Sequence, residues 1–449
     1  MTTPAQASRK EIFGWAMFDF ANQAYTLLII TVVFGDLFVR VIVGDRGDGY
    51  RTANLLWSSA LAASYLLVVA SGPLLGAIMD FTAQKKRFLF HSYVLTIFAT
   101  CALYFVEPGA VWLGIALIVV SNFAYSVGES FIASFLPDLG PPERLGRISG
   151  FGWALGYVGG LFAAGFTLVF LGEVSAANFE RIRWVGPFAG VFFLLAAIPT
   201  FAWLRERGER QALPAGDSLA RLGWRRLVHT VSRVRESRDM AILMVSVFFA
   251  MAGVYIVIAF AFIYGAQVIG WSNTVRNVMF VVVQITAAAG ALGFGLLQDR
   301  IGARTTYITT LLLWIIAIAA IYATPDVTAF LNAAFGSQWE AQHVFLVAGC
   351  LAGLSLGSSQ SAGRALVGVM SPRAKAAEFF GFWGLSSKLA AVFGIFGLGL
   401  LQASFGLHRA ILFCIALFAA AAVACLFVDQ TRGRASAAAA DAMAARVRT

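Results

Sequence analysis

Apolar residues in this chain neither alternate with polar ones nor mark one face of an amphipathic helix. They come in nearly unbroken runs, such as Leu61 to Val69 and Leu311 to Ile321. Charges, prolines and glycines break the runs into twelve spans: 12–34, 53–79, 88–106, 109–133, 149–171, 184–204, 240–264, 276–297, 305–323, 342–366, 379–401 and 409–428. A helix needs roughly 20 apolar residues to cross a hydrocarbon core about 30 Å thick, and the spans have that length. A transmembrane β-barrel would instead show segments of about ten residues alternating between polar and apolar. The pattern predicts an all-α polytopic membrane protein of twelve transmembrane helices, six and six. The halves are 1–204 and 240–428, joined by a polar stretch at 205–239 and followed by a tail at 429–449.

Composition agrees with that reading. Hydrophobic residues make up 59% of the 449 and charged residues 12%, with a mean hydropathy of +0.79. Disorder, a disulfide scaffold and an ordinary water-soluble enzyme are excluded on those figures. The net charge of +10 would suggest a nucleic-acid partner in a soluble chain, but here it reports topology. With the N-terminus inside, 24 of the 33 Lys and Arg fall on the cytoplasmic side. The other side holds Arg40, Arg46, Arg51, Arg181, Arg183, Arg276 and Arg409, and Arg364 and Lys388 lie within spans. The positive-inside rule then places both termini in the cytoplasm. The first apolar stretch has no small-residue cleavage site after it and is expected to stay as a helix. Within 205–239, Leu219, Leu222, Leu227, Val231 and Val234 recur near helical spacing among Arg221, Arg225, Arg226, Arg233 and Arg235, which predicts a basic amphipathic helix on the inner membrane surface.

The strongest internal signal is a repeated loop. After the eighth span the chain reads Gly295-Leu-Leu-Gln-Asp299-Arg300-Ile-Gly302-Ala-Arg304; after the second it reads Gly76-Ala-Ile-Met-Asp80, followed by Lys85, Lys86 and Arg87. Each copy sets Gly four residues before Asp at a helix end. Glycine permits close helix contact, and the carboxylate can bond a neighbouring helix N-terminus or an arginine, which suits a conformational latch. These loops resemble the signature loop of the major facilitator superfamily, between helices two and three and again between eight and nine. The second copy follows the pattern throughout, whereas the first has Phe81 and Ala83 where a basic residue and glycine are usual. The resemblance implies two pseudo-symmetric six-helix bundles around a central cavity.

Four further segments narrow the resemblance. They are Trp15-Ala-Met-Phe-Asp19-Phe-Ala-Asn22-Gln23-Ala-Tyr25, Leu136-Pro137-Asp138 through Pro141-Pro142-Glu143, Gly150 to Gly160, and Gln360 to Lys388 with Glu378-Phe-Phe-Gly-Phe. Together they resemble the vacuolar amino-acid effluxer family in its bacterial branch, which implies a bacterial cytoplasmic-membrane carrier of amino acids or similar zwitterions.

Ionisable groups inside spans are costly and therefore candidates for function; four stand out, Asp19, Glu129, Arg364 and Lys388. Asp19, Asn22 and Tyr25 share one face of helix 1, and Asn122, Tyr125 and Glu129 share one face of helix 4. These are candidate solute or proton contacts; the structural alternatives are an ion pair or helix–helix bond at Asp19 and a surface residue at Glu129. On helix 10, Gln360 and Arg364 are i, i+4 neighbours, Arg364 either holding a carboxylate or anchoring an inner end. Lys388 lies near the middle of helix 11, as a site for a solute carboxylate or a switching partner for an acid. Gly152, Gly156 and Gly160 form a packing stripe on helix 5.

Cys101, Cys350, Cys414 and Cys425 sit in apolar runs without metal-ligand spacing, and His91, His229, His343 and His408 are scattered, so no metal, cofactor or disulfide is expected. No Gly-x-x-x-x-Gly-Lys loop exists for a nucleotide phosphate. The expectation is a secondary transporter working by alternating access, with a small solute between the halves, lipid around them and protons as the coupling ion. A monomer suffices for that work. The alternative is a transport-inactive receptor or scaffold of the same fold; an enzyme is not expected, since no reactive cluster is visible.

Overall fold

The computed structural model describes residues 7–45, 50–172, 174–208, 210, 218–219, 221, 223–225, 228 and 237–446. Among them, helices account for the regular structure and no strand occurs. Among the described residues, twelve helices are long and apolar enough to cross a membrane: α1 Arg9–Val43, α2 Arg51–Thr82, α3 Lys85–Phe105, α4 Val111–Leu139, α5 Pro142–Leu171, α6 Ala176–Trp203, α7 Arg238–Ile269, α8 Thr274–Ile301, α9 Ala303–Phe335, α10 Ala341–Met370, α11 Arg373–Phe405 and α12 Leu407–Leu426. A polar helix, α13 Gln430–Arg446, follows. Seven of the residues expected to form the basic linker helix, Leu222, Arg226, Leu227, Val231, Arg233, Val234 and Arg235, lie outside the described residues.

All twelve expected spans occur, and several run further than their apolar cores. In α1, Ser8 caps the start by accepting from the Glu11 N–H at 3.2 Å. The helix then passes Gly35 and Asp36 with wider turns at Tyr25–Val32 and Phe38–Val43. The Asp36–Arg40 pair, 2.7 Å apart and one turn from each other, keeps two charges within helical geometry there. The expected span 305–323 stopped short of Pro325, but α9 continues to Phe335. A proline leaves the carbonyl four residues earlier without its helical donor. Here that carbonyl belongs to Ile321, and the Tyr264 hydroxyl of α7 donates to it at 3.3 Å. A neighbouring helix thus replaces the missing N–H.

The chain divides into two compact units, Met1–Gly140 with Leu155–Ser232 and Ala374–Leu385, and Pro141–Ala154 with Arg233–Arg373 and Ser386–Thr449. In the first unit, helix contacts rest on small residues and a few buried hydrogen bonds. Trp15 Nε1 donates to the Ile132 carbonyl at 2.8 Å, tying α1 to α4, and Thr200 Oγ1 donates to the Gly14 carbonyl at 2.7 Å, tying α6 to α1. In the second unit, Gly290, Gly353 and Gly357 bring α8 and α10 so close that a Cβ at any of them would overlap the facing backbone or side chain. Trp314 and Phe418, both fully buried, stack at 5.0 Å between α9 and α12.

Candidate functional site

In the first unit, Asp80 occupies the last turn of α2 and accepts from two backbone donors at the start of α11, Ala377 N at 3.1 Å and Glu378 N at 2.8 Å. The first N–H groups of a helix lack intrahelical acceptors and carry partial positive charge, so a carboxylate suits them. Gly76 makes this approach possible, because a Cβ there would run into the Ala377 carbonyl. One turn along, Gly72 and Gly381 repeat the close contact. Lys85, at the start of α3, lies beside the same carboxylate at 3.9 Å and reaches Asp138 at 3.3 Å and the Ser134 carbonyl at 3.3 Å. Asp80, Lys85, Asp138 and Glu378 are all buried. The ammonium offsets the two carboxylates it meets, from α2 and α4, since unpaired buried charge would be strongly disfavoured. Next to this cluster, Glu11 holds Arg207 in a bidentate pair at 2.5 and 2.7 Å.

The second copy of the loop has the same construction in the second unit. Asp299, on the last turn of α8, accepts a backbone hydrogen bond from Arg147 near the start of α5 and lies 3.8 Å from the Arg147 side chain. Gly295 faces Gly146 and Gly150, where a Cβ on any of the three would crowd the opposing backbone or Gln298. The residue bonded to Asp299 is thus basic, whereas those bonded to Asp80 are Ala377 and the acidic Glu378. In the first copy the cation beside the carboxylate is instead the buried Lys85. Arg300 is exposed, and Arg304 donates to the last carbonyls of α12, Cys425 at 3.1 Å and Leu426 at 2.5 Å. The tail helix α13 adds further ties: Arg432 to Asp239 at 2.6 Å, Arg434 to Glu143, and Asp441 accepting from Arg373 N at 3.1 Å.

The helix 1 and helix 4 candidates meet in the first unit. Tyr25 and Tyr125 stack at 4.7 Å, and the Tyr25 hydroxyl lies 2.9 Å from Ser121 Oγ. Thr26 Oγ1 donates to the Tyr125 hydroxyl at 2.6 Å, and that hydroxyl donates to Glu129 Oε1 at 2.9 Å. The arrangement is a short chain of hydroxyls ending on a carboxylate, a geometry able to pass a proton. Asn122 turns to α2, donating to Ser64 Oγ at 2.6 Å. Asp19 and Asn22 are buried on α1, where Gly156 of α5 packs against the Asp19 backbone.

The remaining candidates lie in the second unit. Lys388, buried at mid-helix, donates to the Tyr255 hydroxyl of α7 at 3.3 Å, its ammonium 5.8 Å from the ring centre. Arg364 is 3% exposed and fastens α10 to α5: Nε donates to Ser149 Oγ at 3.1 Å, Nη2 to the Ser149 carbonyl at 3.0 Å, and the guanidinium lies over Trp153 at 5.2 Å. Ser149 Oγ in turn donates to the Ser361 carbonyl at 2.9 Å. Gln360 is half-buried one turn before Arg364. Sequence reasoning had not singled out Lys85, Ser149, Trp153, Tyr255, Glu11 or Arg207 as site residues. Lys85 carried a local signal as one of the basic residues after the first Gly-x-x-x-Asp, and Glu11 and Arg207 as charges at the edges of apolar spans. Among the described residues no cluster of His, Cys, Asp and Glu is arranged to hold a metal ion.

A family model described as "Vacuole effluxer Atg22 like" matches residues 51–145 and 142–438. Among curated proteins, the "Uncharacterized MFS-type transporter YxiO" of Bacillus subtilis is 25% identical over 399 residues, covering 86% of this chain and 86% of the relative. Autophagy-related protein 22-1 of Emericella nidulans is 24% identical, over 60% of this chain and 47% of the relative. Autophagy-related protein 22 of Yarrowia lipolytica is also 24% identical, over 71% of this chain and 56% of the relative. The chain therefore spans about half the length of these fungal relatives. Among solved structures, the proton:xylose symporter XylE matches with a TM-score of 0.71 at 16% identity, covering 95% of this chain and 96% of that one. The human organic anion transporter MFSD10 matches with a TM-score of 0.68 at 15% identity, covering 93% and 99%. Both structural likenesses are likenesses of fold.

Proposed function

Because the chain belongs to the Atg22-like vacuole effluxer family of the major facilitator superfamily, we propose that it carries an amino acid or a similar zwitterion across a bacterial cytoplasmic membrane, driven by protons. It is an integral membrane protein and a secondary transporter; the cargo, the driving ion and the membrane are our reading. The observation that carries it is charge and hydroxyl chemistry kept inside otherwise apolar helices. Asp19 and Glu129 lie in the first unit and Arg364 and Lys388 in the second. Such groups are expensive in a membrane and are retained where ions or polar solutes are handled. An amino acid carries an ammonium for a carboxylate and a carboxylate for a cation.

In this reading Glu129 is the proton carrier, fed through Tyr125 and Thr26, and Lys388 holds the solute carboxylate with Tyr255 steadying its ammonium. Arg364, committed to Ser149 and Trp153, is a positioning residue for α5 and α10. The capped helix starts at Asp80 and Asp299 hold one conformation at the basic, cytoplasmic end, and transport requires both to let go. Coupling to protons accords with the xylose:proton symporter of the same fold, although fold alone is shared.

The test uses purified protein in liposomes, scanning labelled amino acids with and without an inward proton gradient. Gradient-dependent flux of one class, lost in Lys388→Ala and uncoupled from the gradient in Glu129→Gln, is the expected result. Saturable binding of an amino acid without flux in either orientation would instead favour a receptor or scaffold. Neither binding nor flux would remove the amino-acid assignment.

A further inference from the structure

An open cleft of about 420 Å³ lies at the basic end of the first unit, beside the buried Lys85 and Asp138, whose charges reach Glu206 in its wall. Its walls are Ala83, Gln84, Lys86 and Arg87 at the turn into α3, Phe90 one turn further, and Phe201 and Glu206 around the end of α6. Arg87 is exposed, and Nη1 lies 3.5 Å from Gln84 Oε1. Lys86 Nζ donates to the Leu204 carbonyl at 2.8 Å, which leaves two further ammonium protons. Glu206 is held by one oxygen: Oε2 accepts from Lys86 N at 2.7 Å, while Oε1 is buried with no hydrogen-bond partner among the described residues. A buried acceptor left unmet is costly, so it marks a place for a donor that the described residues do not supply.

The apolar side of the cleft is equally specific. Phe90 and Phe201 meet edge to face at 5.4 Å, and Phe90, Val94 and Phe98 form an exposed stripe along α3, each one turn from the next. Beside the cleft, Lys10 lies over the Trp203 ring at 4.8 Å, and Arg205 is exposed. Cations and aromatic rings at the end of a transmembrane helix, above an apolar stripe, match the level where lipid head groups meet acyl chains. Lys10, Lys86, Arg87 and Arg205 against Glu206 leave the surroundings net positive.

We propose that this cleft binds an anionic glycerophospholipid with a hydroxyl-bearing head group, phosphatidylglycerol being the simplest. Its phosphate sits on Arg87, Gln84 and the free protons of Lys86, a head-group hydroxyl donates to Glu206 Oε1, and an acyl chain follows Phe90, Val94 and Phe98. The source is the bilayer, because the stripe that completes the site is of use only to a ligand with a long apolar tail.

Native mass spectrometry of the full chain released from detergent would compare phosphatidylglycerol, phosphatidic acid and phosphatidylcholine, with soluble glycerol phosphate as competitor. Phosphatidylglycerol is expected to bind most tightly and to resist the competitor. Arg87→Gln should weaken it about ten-fold, since a charge-assisted contact is lost. Glu206→Ala should erase the preference for phosphatidylglycerol over phosphatidic acid, about five-fold, by removing the hydroxyl's acceptor. Arg409→Gln, in the first turn of α12 and outside the cleft, should change nothing. Melting curves would confirm that each variant is folded. Equal binding of phosphatidylglycerol and phosphatidylcholine overturns the proposal, as do equal losses in Arg87→Gln and Arg409→Gln. Displacement by glycerol phosphate also overturns it, since the ligand would then be a free phosphate ester.

Discussion

Lys85 sits where the carboxylates of Asp80 and Asp138 converge, and its position explains why three charges persist where one helix buries another. Removing one partner of a buried pair leaves the others uncompensated, a loss of about 3 kcal/mol or more. Lys85→Met is therefore expected to lower the melting temperature sharply in a detergent thermal-shift assay. Asp80→Asn keeps an oxygen for only one of Ala377 N and Glu378 N, which bond separate carboxylate oxygens, and sets its amide NH2 against the other, so it too should lower the melting temperature. Outside the membrane helices, burial holds the Glu206 carboxyl above the ordinary carboxylate range, with the hydrogen bond from the Lys86 backbone and the charge of Lys85 acting against it. A raised carboxyl favours the neutral form in the folded protein. Its contribution to stability is greatest at low pH and is lost as pH rises from the unfolded value through the folded one. Glu206→Gln should flatten that part of the stability–pH profile, as followed by thermal melts between pH 4 and 7.

Glycine and proline decide what the helices can do. A single methyl at Gly76 would overlap the Ala377 carbonyl, so Gly76→Ala must push α2 from the start of α11 and loosen the Asp80 bonds. Gly165, with open space around its would-be Cβ, tolerates the same change. Faster hydrogen exchange at the start of α11 in Gly76→Ala, and none in Gly165→Ala, is the expected contrast. Pro325 gives a second test. Tyr264→Phe strands the Ile321 carbonyl at a cost of about 1 kcal/mol, while Pro325→Ala restores the missing helical donor. The double variant should recover the part of the lost melting temperature that belongs to the Ile321 carbonyl, while the contact of the Tyr264 hydroxyl with His408 Nδ1 at 2.8 Å stays lost. Additive losses would show that the hydroxyl does not stand in for the proline's missing N–H.

The twelve helices and the distribution of Lys and Arg concern the molecule entire, and they set an orientation that can be measured. The turn around Gln338 lies at the end poor in basic residues, whereas α13 follows α12 at the rich end. In a chain without its four native cysteines, Gln338→Cys should react with a membrane-impermeant maleimide in intact cells. Ala435→Cys should react only after permeabilisation. Reversed labelling would place both termini outside and reassign the end at which Asp80 and Asp299 act.

Helix number, order and approximate span could be read along the chain because the transfer of apolar surface into lipid is nearly additive and local: runs such as Leu311 to Ile321 declare themselves without reference to any neighbour. The repeated Gly-x-x-x-Asp was legible for the same reason, as a fixed spacing on one helix. What each Asp bonds was not. Asp80 and Glu378 are 298 residues apart, and Arg364 meets Ser149 across 215. Their contacts exist only once helices have packed, at positions set by where a glycine lets two backbones approach. The same holds for the true ends of α5, α9 and α11. Their charged or proline-bearing turns read as loops in isolation and become helix only where another element supplies the partner: the carboxylates of Asp299 and Asp80 for α5 and α11, and the Tyr264 hydroxyl for α9. Hydrophobicity places a helix in the membrane one residue at a time, whereas a hydrogen bond needs two groups at a fixed distance, and tertiary structure decides that distance.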